Sequence, residues 1–257
     1  MGPLPGRLAP LAARPRSSAL FLDFDGTLAP IVPDPAAAAP LEGVVPVLGA
    51  LARRLALVAV VSGRPVTYLA TVLGPPAGGR LIGLYGMEEL GPDGTVRTAA
   101  DLERWRDPVG SVTAAALAEA PPGVGVEPKG LTVTLHWRGS PDGEAWARPF
   151  AERAMREVGL VAQEGRQAME LRPPVEADKG TVVRRLGEGH DAMACFGDDL
   201  GDLAAFAALD RFAALGVDVT KVAVVDAESP PQVAAAADLV VEGPAGALTV
   251  LEQLSEA

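Results

Sequence analysis

Ala19-Leu20-Phe21-Leu22-Asp23-Phe24-Asp25-Gly26-Thr27 is the stretch from which the rest of the chain is read. Its apolar half predicts a strand buried on both faces, and the strand ends in two carboxylates spaced i, i+2. That spacing puts both at the carboxyl edge of a sheet, pointing at one pocket. Gly26-Thr27 turns the chain and offers backbone N–H groups and a hydroxyl. Two carboxylates beside a nest of amide donors suit a divalent cation and a phosphoryl group together. The same residues would also form a plain Asx-type turn in which both aspartates cap backbone amides. A calcium EF-hand loop fits less well, because its glycine belongs at the sixth position and here it is the fourth.

Three later segments bear on that choice. Leu57–Val61 is another apolar strand and ends in Ser62-Gly63-Arg64. Lys179 opens a helical pattern running through Asp178–Leu186. Ala192–Phe196 runs into Gly197-Asp198-Asp199-Leu200-Gly201-Asp202. Each polar group stands where a buried strand ends or a helix begins, which is where open α/β sheets place ligands. Taken singly, Ser-Gly-Arg is a common turn, Lys179 a solvated helix residue and Gly-Asp-Asp a helix cap. In this order the four segments resemble the haloacid dehalogenase superfamily of phosphohydrolases.

The resemblance implies roles. Asp23 becomes the nucleophile that accepts the phosphoryl group, and Asp25 the acid toward the leaving alkoxide and then the base that activates water. Mg²⁺ would be held by Asp23, the Asp25 backbone carbonyl and Asp198, with Asp199 or Asp202 in support. Ser62 and Lys179 would hold phosphoryl oxygens, aided by Thr27 and Gly63. Arg64 either assists them or makes a surface ion pair.

Composition narrows the alternatives. The 257 residues carry a net charge of −11, which argues against nucleic acid or an anionic membrane as partner. No apolar run reaches the length of a bilayer span. The Pro-interrupted first residues lack a signal-peptide core, and Gly6 stands where myristoylation wants Ser or Thr. The single cysteine, Cys195, reads as a small buried hydrophobe. A cytoplasmic location is expected.

Strands are predicted at 19–24, 57–61 and 81–85, alternating with helices at about 44–54 and 65–73. The alternation returns with helices at 178–187, 199–208 and 244–254 and strands at 192–196, 222–225 and 238–241. The fold class is therefore α/β, a Rossmann-like parallel-sheet hydrolase core formed by 1–99 and 175–257. Between the halves lie a hairpin at about 89–96, helices at 101–119 and 143–158, and short strands at 124–127, 131–137, 160–163 and 168–172. These predict an inserted α+β cap domain at 100–174. Residues 1–17 and the Pro/Ala tract 33–40 read as the loosest stretches.

In the insert, Leu131, Val133, Leu135 and Trp137 alternate with Thr132, Thr134, His136 and Arg138. Glu170 and Arg172 alternate likewise with Met169 and Leu171. A half-buried sheet with a wet polar face is the ordinary reading. These polar groups, and Glu127 and Lys129 in the turn before them, also suit sugar hydroxyls. Glu127-x-Lys129-Gly130 with His136-Trp137-Arg138, and Met169–Pro173 leading to Lys179-Gly180, resemble the trehalose-6-phosphate phosphatases. That resemblance implies that Glu127, Lys129 and Glu170 contact the distal glucose, with His136 and Arg138 as further candidates. The chain departs from the family pattern at Tyr85, where a histidine is usual, at Gly201-Asp202-Leu203, and at Val222–Asp226. The implied function is Mg²⁺-dependent release of phosphate from a small sugar phosphate by a monomer, with pairing to a sugar-phosphate synthase as a further implication. Rival expectations are another disaccharide or pseudo-disaccharide phosphate as substrate, or a silent sugar-phosphate sensor. A sensor has no use for the proton-transferring Asp25.

Overall fold

The computed structural model describes residues 2–32, 34–74, 79–91, 93–98, 101–140, 142–165, 167–227 and 229–257. The chain forms two compact units, Met1–Arg97 with Ala177–Ala257, and Thr98–Glu176.

The first unit opens on a segment the sequence reads as loose. A 3-10 turn, Gly6–Leu8, feeds helix α1 (Ala9–Ala13) and a second 3-10 turn, Pro15–Ser17. Leu8 and Leu11 are fully buried, so this segment belongs to the core. Its prolines mislead because Pro10 and Pro15 sit at the first helical positions, where a missing N–H costs no hydrogen bond. Strand β1 (Ser18–Leu22), helix α2 (Val44–Arg54), strand β2 (Leu57–Val61), helix α3 (Val66–Leu73) and strand β3 (Arg80–Gly83) follow. β3 stops two residues earlier than expected because Leu84 and Tyr85 adopt left-handed φ values of 48° and 58° in a 3-10 turn. The expected hairpin is β4 (Glu88–Leu90) and β5 (Val96–Thr98); its Pro92 lies outside the described residues. A 3-10 turn, Pro35–Ala37, occupies the Pro/Ala tract, whose Pro33 also lies outside the described residues.

The second unit contains α4 (Arg106–Glu119), β6 (Gly125–Pro128), β7 (Val133–His136), α5 (Gly143–Val158), β8 (Val161–Gly165) and β9 (Ala168–Arg172). Its sheet runs β6-β7-β9-β8, antiparallel throughout. Val133, Leu135, Met169 and Leu171 pack one face against Val109, Val112, Ala147 and Phe150 of the helices. The pleat sends the alternate residues to the other face, where Glu127, Thr134, Glu170 and Gln163 stand in one cross-strand row.

The chain then returns to the first unit through α6 (Lys179–Gly187), β10 (Ala192–Gly197), α7 (Leu203–Ala213), β11 (Asp218–Val225), α8 (Pro231–Ala236), β12 (Leu239–Glu242) and α9 (Gly243–Glu256). The helix expected at 199–208 is a 3-10 turn, Leu200–Asp202, followed by α7. β11 starts four residues before its expected start, and α8 is absent from the sequence reading.

The large sheet has the order β12-β11-β10-β1-β2-β3-β4-β5. The six strands from β12 to β3 are parallel, and β4 runs antiparallel beside β3. Leu20, Leu22, Val58, Val60 and Phe196 face a core completed by α2 and α9. Phe21, Val61, Met193 and Cys195 face one completed by α6 and α7. With helices on both faces the central strands β1, β2 and β10 are apolar almost throughout, and their polar groups gather at the ends. β1 lies between β2 and β10, so chain order reverses there, and the carboxyl ends of strands at such a reversal are where open α/β sheets bind ligands.

Candidate active site

β1, β2 and β10 deliver Asp23, Ser62 and Asp198 to the same edge, in a register where Leu22 pairs with both Val60 and Phe196. Asp23 donates its backbone N–H to the Phe196 carbonyl, which ties the two carboxylate loops together. The turn after Asp23 needs glycine: Gly26 has φ +80°, and a Cβ there would lie 2.0 Å from an Asp198 carboxylate oxygen. Thr27 is fully buried, and its hydroxyl donates to Asp198 Oδ1 at 3.2 Å.

Lys179 is the first residue of α6. Asp178 caps α6, its Oδ1 accepting from the Thr181 amide at 2.6 Å, and the Thr181 hydroxyl accepts from the Asp178 amide. Gly180 lets the helix press on α7, because a Cβ there would stand 2.4 Å from the Ala204 carbonyl oxygen. Held this way, the Lys179 ammonium is 2.7 Å from Asp23 Oδ1 and 2.7 Å from Asp202 Oδ1. All three side chains are buried.

Asp202 does more than neutralise the lysine. Its second oxygen accepts from the backbone amides of Asp198 and Asp199 at 3.1 and 3.2 Å, so it fixes the acidic loop. One oxygen each from Asp23, Asp198 and Asp202 lies within 4.8 Å of the others. Asp199 stands outside that trio: it is exposed and its Oδ1 accepts from the Gly201 amide.

So much negative charge in a buried place raises the carboxylate pKa values. Burial, then Asp202 and Asp199, push Asp198 up to about 7. Burial pushes Asp202 up to about 8 against the pull of Lys179. Burial also raises Asp23 well above the usual range. Burial disfavours the Lys179 ammonium, but Asp202 and Asp23 outweigh it and hold the group above its ordinary value. An oxygen-only, charge-crowded donor set of this kind fits a hard divalent cation such as Mg²⁺.

Ser62 is buried at the end of β2. Its Oγ accepts from the Arg64 amide at 3.1 Å, which leaves the hydroxyl hydrogen free to donate elsewhere. Gly63 is required by its neighbour, since a Cβ would meet the Tyr85 hydroxyl at 2.5 Å. Arg64 makes an ion pair, as one of its two expectations has it, with the carboxylate of Asp25 at the carboxyl edge of the sheet. Its Nε donates to Asp25 Oδ2 at 2.8 Å and a terminal nitrogen donates to Oδ1 at 2.7 Å.

In the second unit, Glu127, Lys129, His136 and Glu170 form one network. His136 Nε2 is 2.9 Å from Glu127, and Lys129 lies 3.6 Å from Glu127 and 3.5 Å from Glu170. Arg138 is exposed and stands outside this network. The polar face is drier than the ordinary reading expects: Thr132, Thr134, Glu170 and Arg172 are all buried. Thr132 donates to Glu170 at 2.6 Å, and Arg172 donates to Gln163 at 2.6 Å.

The sequence reading passes over Tyr68 and Glu88. Glu88 is buried and accepts from the Val66 amide, fixing the start of α3. Tyr68 lies under Arg64; the signal for it was the i, i+4 spacing of a cation and a ring at a helix start.

A doubly wound parallel sheet with this acidic edge defines a haloacid-dehalogenase-like fold. A structure titled trehalose-6-phosphate phosphatase related protein superposes with a TM-score of 0.78 at 24% identity, covering 93% of this chain and 97% of that one. The sequence model of the Trehalose-phosphatase family matches residues 21–240, and the chain belongs to that family. A trehalose-phosphate phosphatase of Mycobacterium avium is 36% identical over 215 residues, 79% of this chain and 54% of that protein. A probable trehalose-phosphate phosphatase of Sinorhizobium fredii is 34% identical over 209 residues, 78% of this chain and 77% of that protein. The chain thus spans about half the length of the mycobacterial relative. Among the described residues, no helix is long and apolar enough to cross a membrane.

Proposed function

We propose that this protein is a Mg²⁺-dependent phosphatase that hydrolyses trehalose 6-phosphate to trehalose and phosphate through an aspartyl-phosphate on Asp23. The observation that carries the reading is the buried Lys179, 2.7 Å from both Asp23 and Asp202, beside Asp198 at the carboxyl edge of the sheet. Family membership supplies the substrate class.

An Asp23 oxygen attacks phosphorus as the bond to the sugar oxygen breaks, and Asp25 gives a proton to the departing alkoxide. Asp25 then takes a proton from water, whose oxygen attacks phosphorus, and the bond to Asp23 breaks to release phosphate. Lys179 and the Ser62 hydroxyl hold phosphoryl oxygens, with Thr27 and Gly63 shaping that edge. This transfer depends mainly on position and charge stabilisation. Asp23, the Asp25 carbonyl and Asp198 would hold Mg²⁺, which when bound offsets the charge between nucleophile and dianionic ester. Asp202 has both oxygens engaged by Lys179 and the loop amides, so it serves as a buttress. Glu127, Lys129, His136 and Glu170 bind sugar hydroxyls, with Arg138 at their margin.

Rapid acid quench with labelled substrate tests the mechanism. Phosphate should be trapped on Asp23; phosphate on Asp25 would reverse the assigned roles.

A further inference from the structure

We infer that Arg64 and Tyr68 form a strut that positions the Asp25 carboxylate, and that Arg64 acts on the reaction through Asp25 and not on the phosphoryl group. The inference rests on the role proposed for Asp25 above.

Asp25 is the more exposed of the two carboxylates that end the first strand loop, and it must present one oxygen to the leaving group. A free aspartate there would sample several rotamers. The Arg64 fork takes one lone pair on each Asp25 oxygen, at 2.8 and 2.7 Å, and fixes the plane of the carboxylate. A second lone pair on each oxygen stays available for a proton. The fork is itself held. The Arg64 amide donates to Ser62 Oγ, and its carbonyl accepts from the Leu84 amide at 3.0 Å. Its guanidinium lies 4.7 Å from the centre of the Tyr68 ring. Tyr68 is anchored in turn, its hydroxyl donating to the Ala38 carbonyl at 2.6 Å and its ring meeting Phe24 edge-on. The fork uses two of the five guanidinium N–H donors on the carboxylate and sets the plane of both groups.

A double-mutant cycle tests this, with kcat and KM measured on trehalose 6-phosphate and on 4-nitrophenyl phosphate. Arg64→Ala should lower kcat on the sugar phosphate about 10- to 100-fold with KM little changed. Arg64→Lys should not restore it, because an ammonium cannot make the two-pronged contact. On the aryl phosphate, whose leaving group needs little protonation, the nitrophenol burst should keep its rate. In an Asp25→Asn background, Arg64→Ala should cost less than about twofold more. Additive losses, a raised KM on both substrates, or rescue by lysine would each overturn the inference and place Arg64 on the phosphoryl group. If Arg64→Ala fails to fold, Tyr68→Leu keeps the arginine and should lower the same kcat about 3- to 10-fold; no loss there overturns the strut. A near-normal Asp25→Asn single variant would strike the proposed mechanism itself, and it is read before Arg64 enters.

Discussion

At the residue scale, Asp23 and Asp25 are two residues apart and stand in different surroundings. Asp23 is buried against Lys179, while the Asp25 side chain, 28% exposed, turns to Arg64. Asp23→Asn should abolish turnover by removing the nucleophile. Asp25→Asn should leave the phosphate site nearly intact and cost on the order of 10²- to 10⁴-fold in kcat. Steady-state kinetics of the pair decides; near-normal kcat in Asp23→Asn contradicts the assignment. The sequence carried these residues well because each stands at the end of an apolar strand, where a polar group needs a reason. It carried Asp199 less well. Asp198 and Asp199 are adjacent and chemically identical, and only the fold of the loop turns one toward Asp23 and the other to the Gly201 amide. Glu88 was passed over because the Val66 amide is brought to it by the fold, and Tyr68 because its anchor, the Ala38 carbonyl, is thirty residues away.

At the scale of elements, α6 is placed by a glycine. Gly180→Ala would drive a methyl group to 2.4 Å from the Ala204 carbonyl and push the helix outward, carrying Lys179 with it. Overpacking of this kind costs about 1–3 kcal/mol, so the melting temperature should fall by roughly 2–12 °C. Activity should fall further than stability, by about 10- to 100-fold, since a misplaced Lys179 no longer meets the phosphoryl group. Thermal unfolding and kinetics on the one variant check both. A normal kcat would mean that the helix position is not critical.

The second unit's strands carry a separate test. Glu127→Ala, Lys129→Ala and Glu170→Ala should each lower kcat/KM for the disaccharide phosphate by about 10- to 150-fold, because each loses a charge-assisted hydrogen bond of roughly 1.5–3 kcal/mol. A small aryl phosphate should be affected far less. Equal losses on both substrates, or none, would leave a phosphatase without disaccharide specificity.

Elements buried on both faces were legible in the sequence, and polar or short ones were not. β1, β2 and β10 were found within about two residues because their apolar runs end abruptly. The start of β11 was missed because Asp218, Thr220 and Lys221 look like loop residues; in the fold they are engaged by Arg14, the Arg7 carbonyl, and Asp210 with Asp238. α8 is a single turn and a half, with Pro230 before it and Pro231 as its first residue. Both were hidden because tertiary partners, not local pattern, make them stable.

At the scale of the whole molecule, the acidic cluster ties stability to pH and, on the proposed function, to metal. Asp198 and Asp202 have folded-state pKa values near 7 and 8, above those of an unfolded aspartate. The metal-free fold therefore binds more protons than the unfolded chain between about pH 4 and 8, and its stability falls as pH rises through that window. The raised Lys179 adds no slope there, since it stays charged in both states. Melting temperature without metal should drop by roughly 10 °C or more between pH 5 and pH 8. Mg²⁺ should restore it at pH 8 and do little at pH 5, where protons compete for the same oxygens. A flat or rising metal-free profile would show that the carboxylates are not held under this strain.

Phosphate release from a panel of sugar phosphates tests the central claim most directly. Trehalose 6-phosphate, sucrose 6-phosphate, glucosylglycerol phosphate and glucose 6-phosphate would be compared with Mg²⁺ and after EDTA. The predicted result is a kcat/KM for trehalose 6-phosphate at least about tenfold above every other member, with all turnover lost on chelation. Preference for another sugar phosphate, or full turnover in a metal-free preparation, would contradict the proposed function.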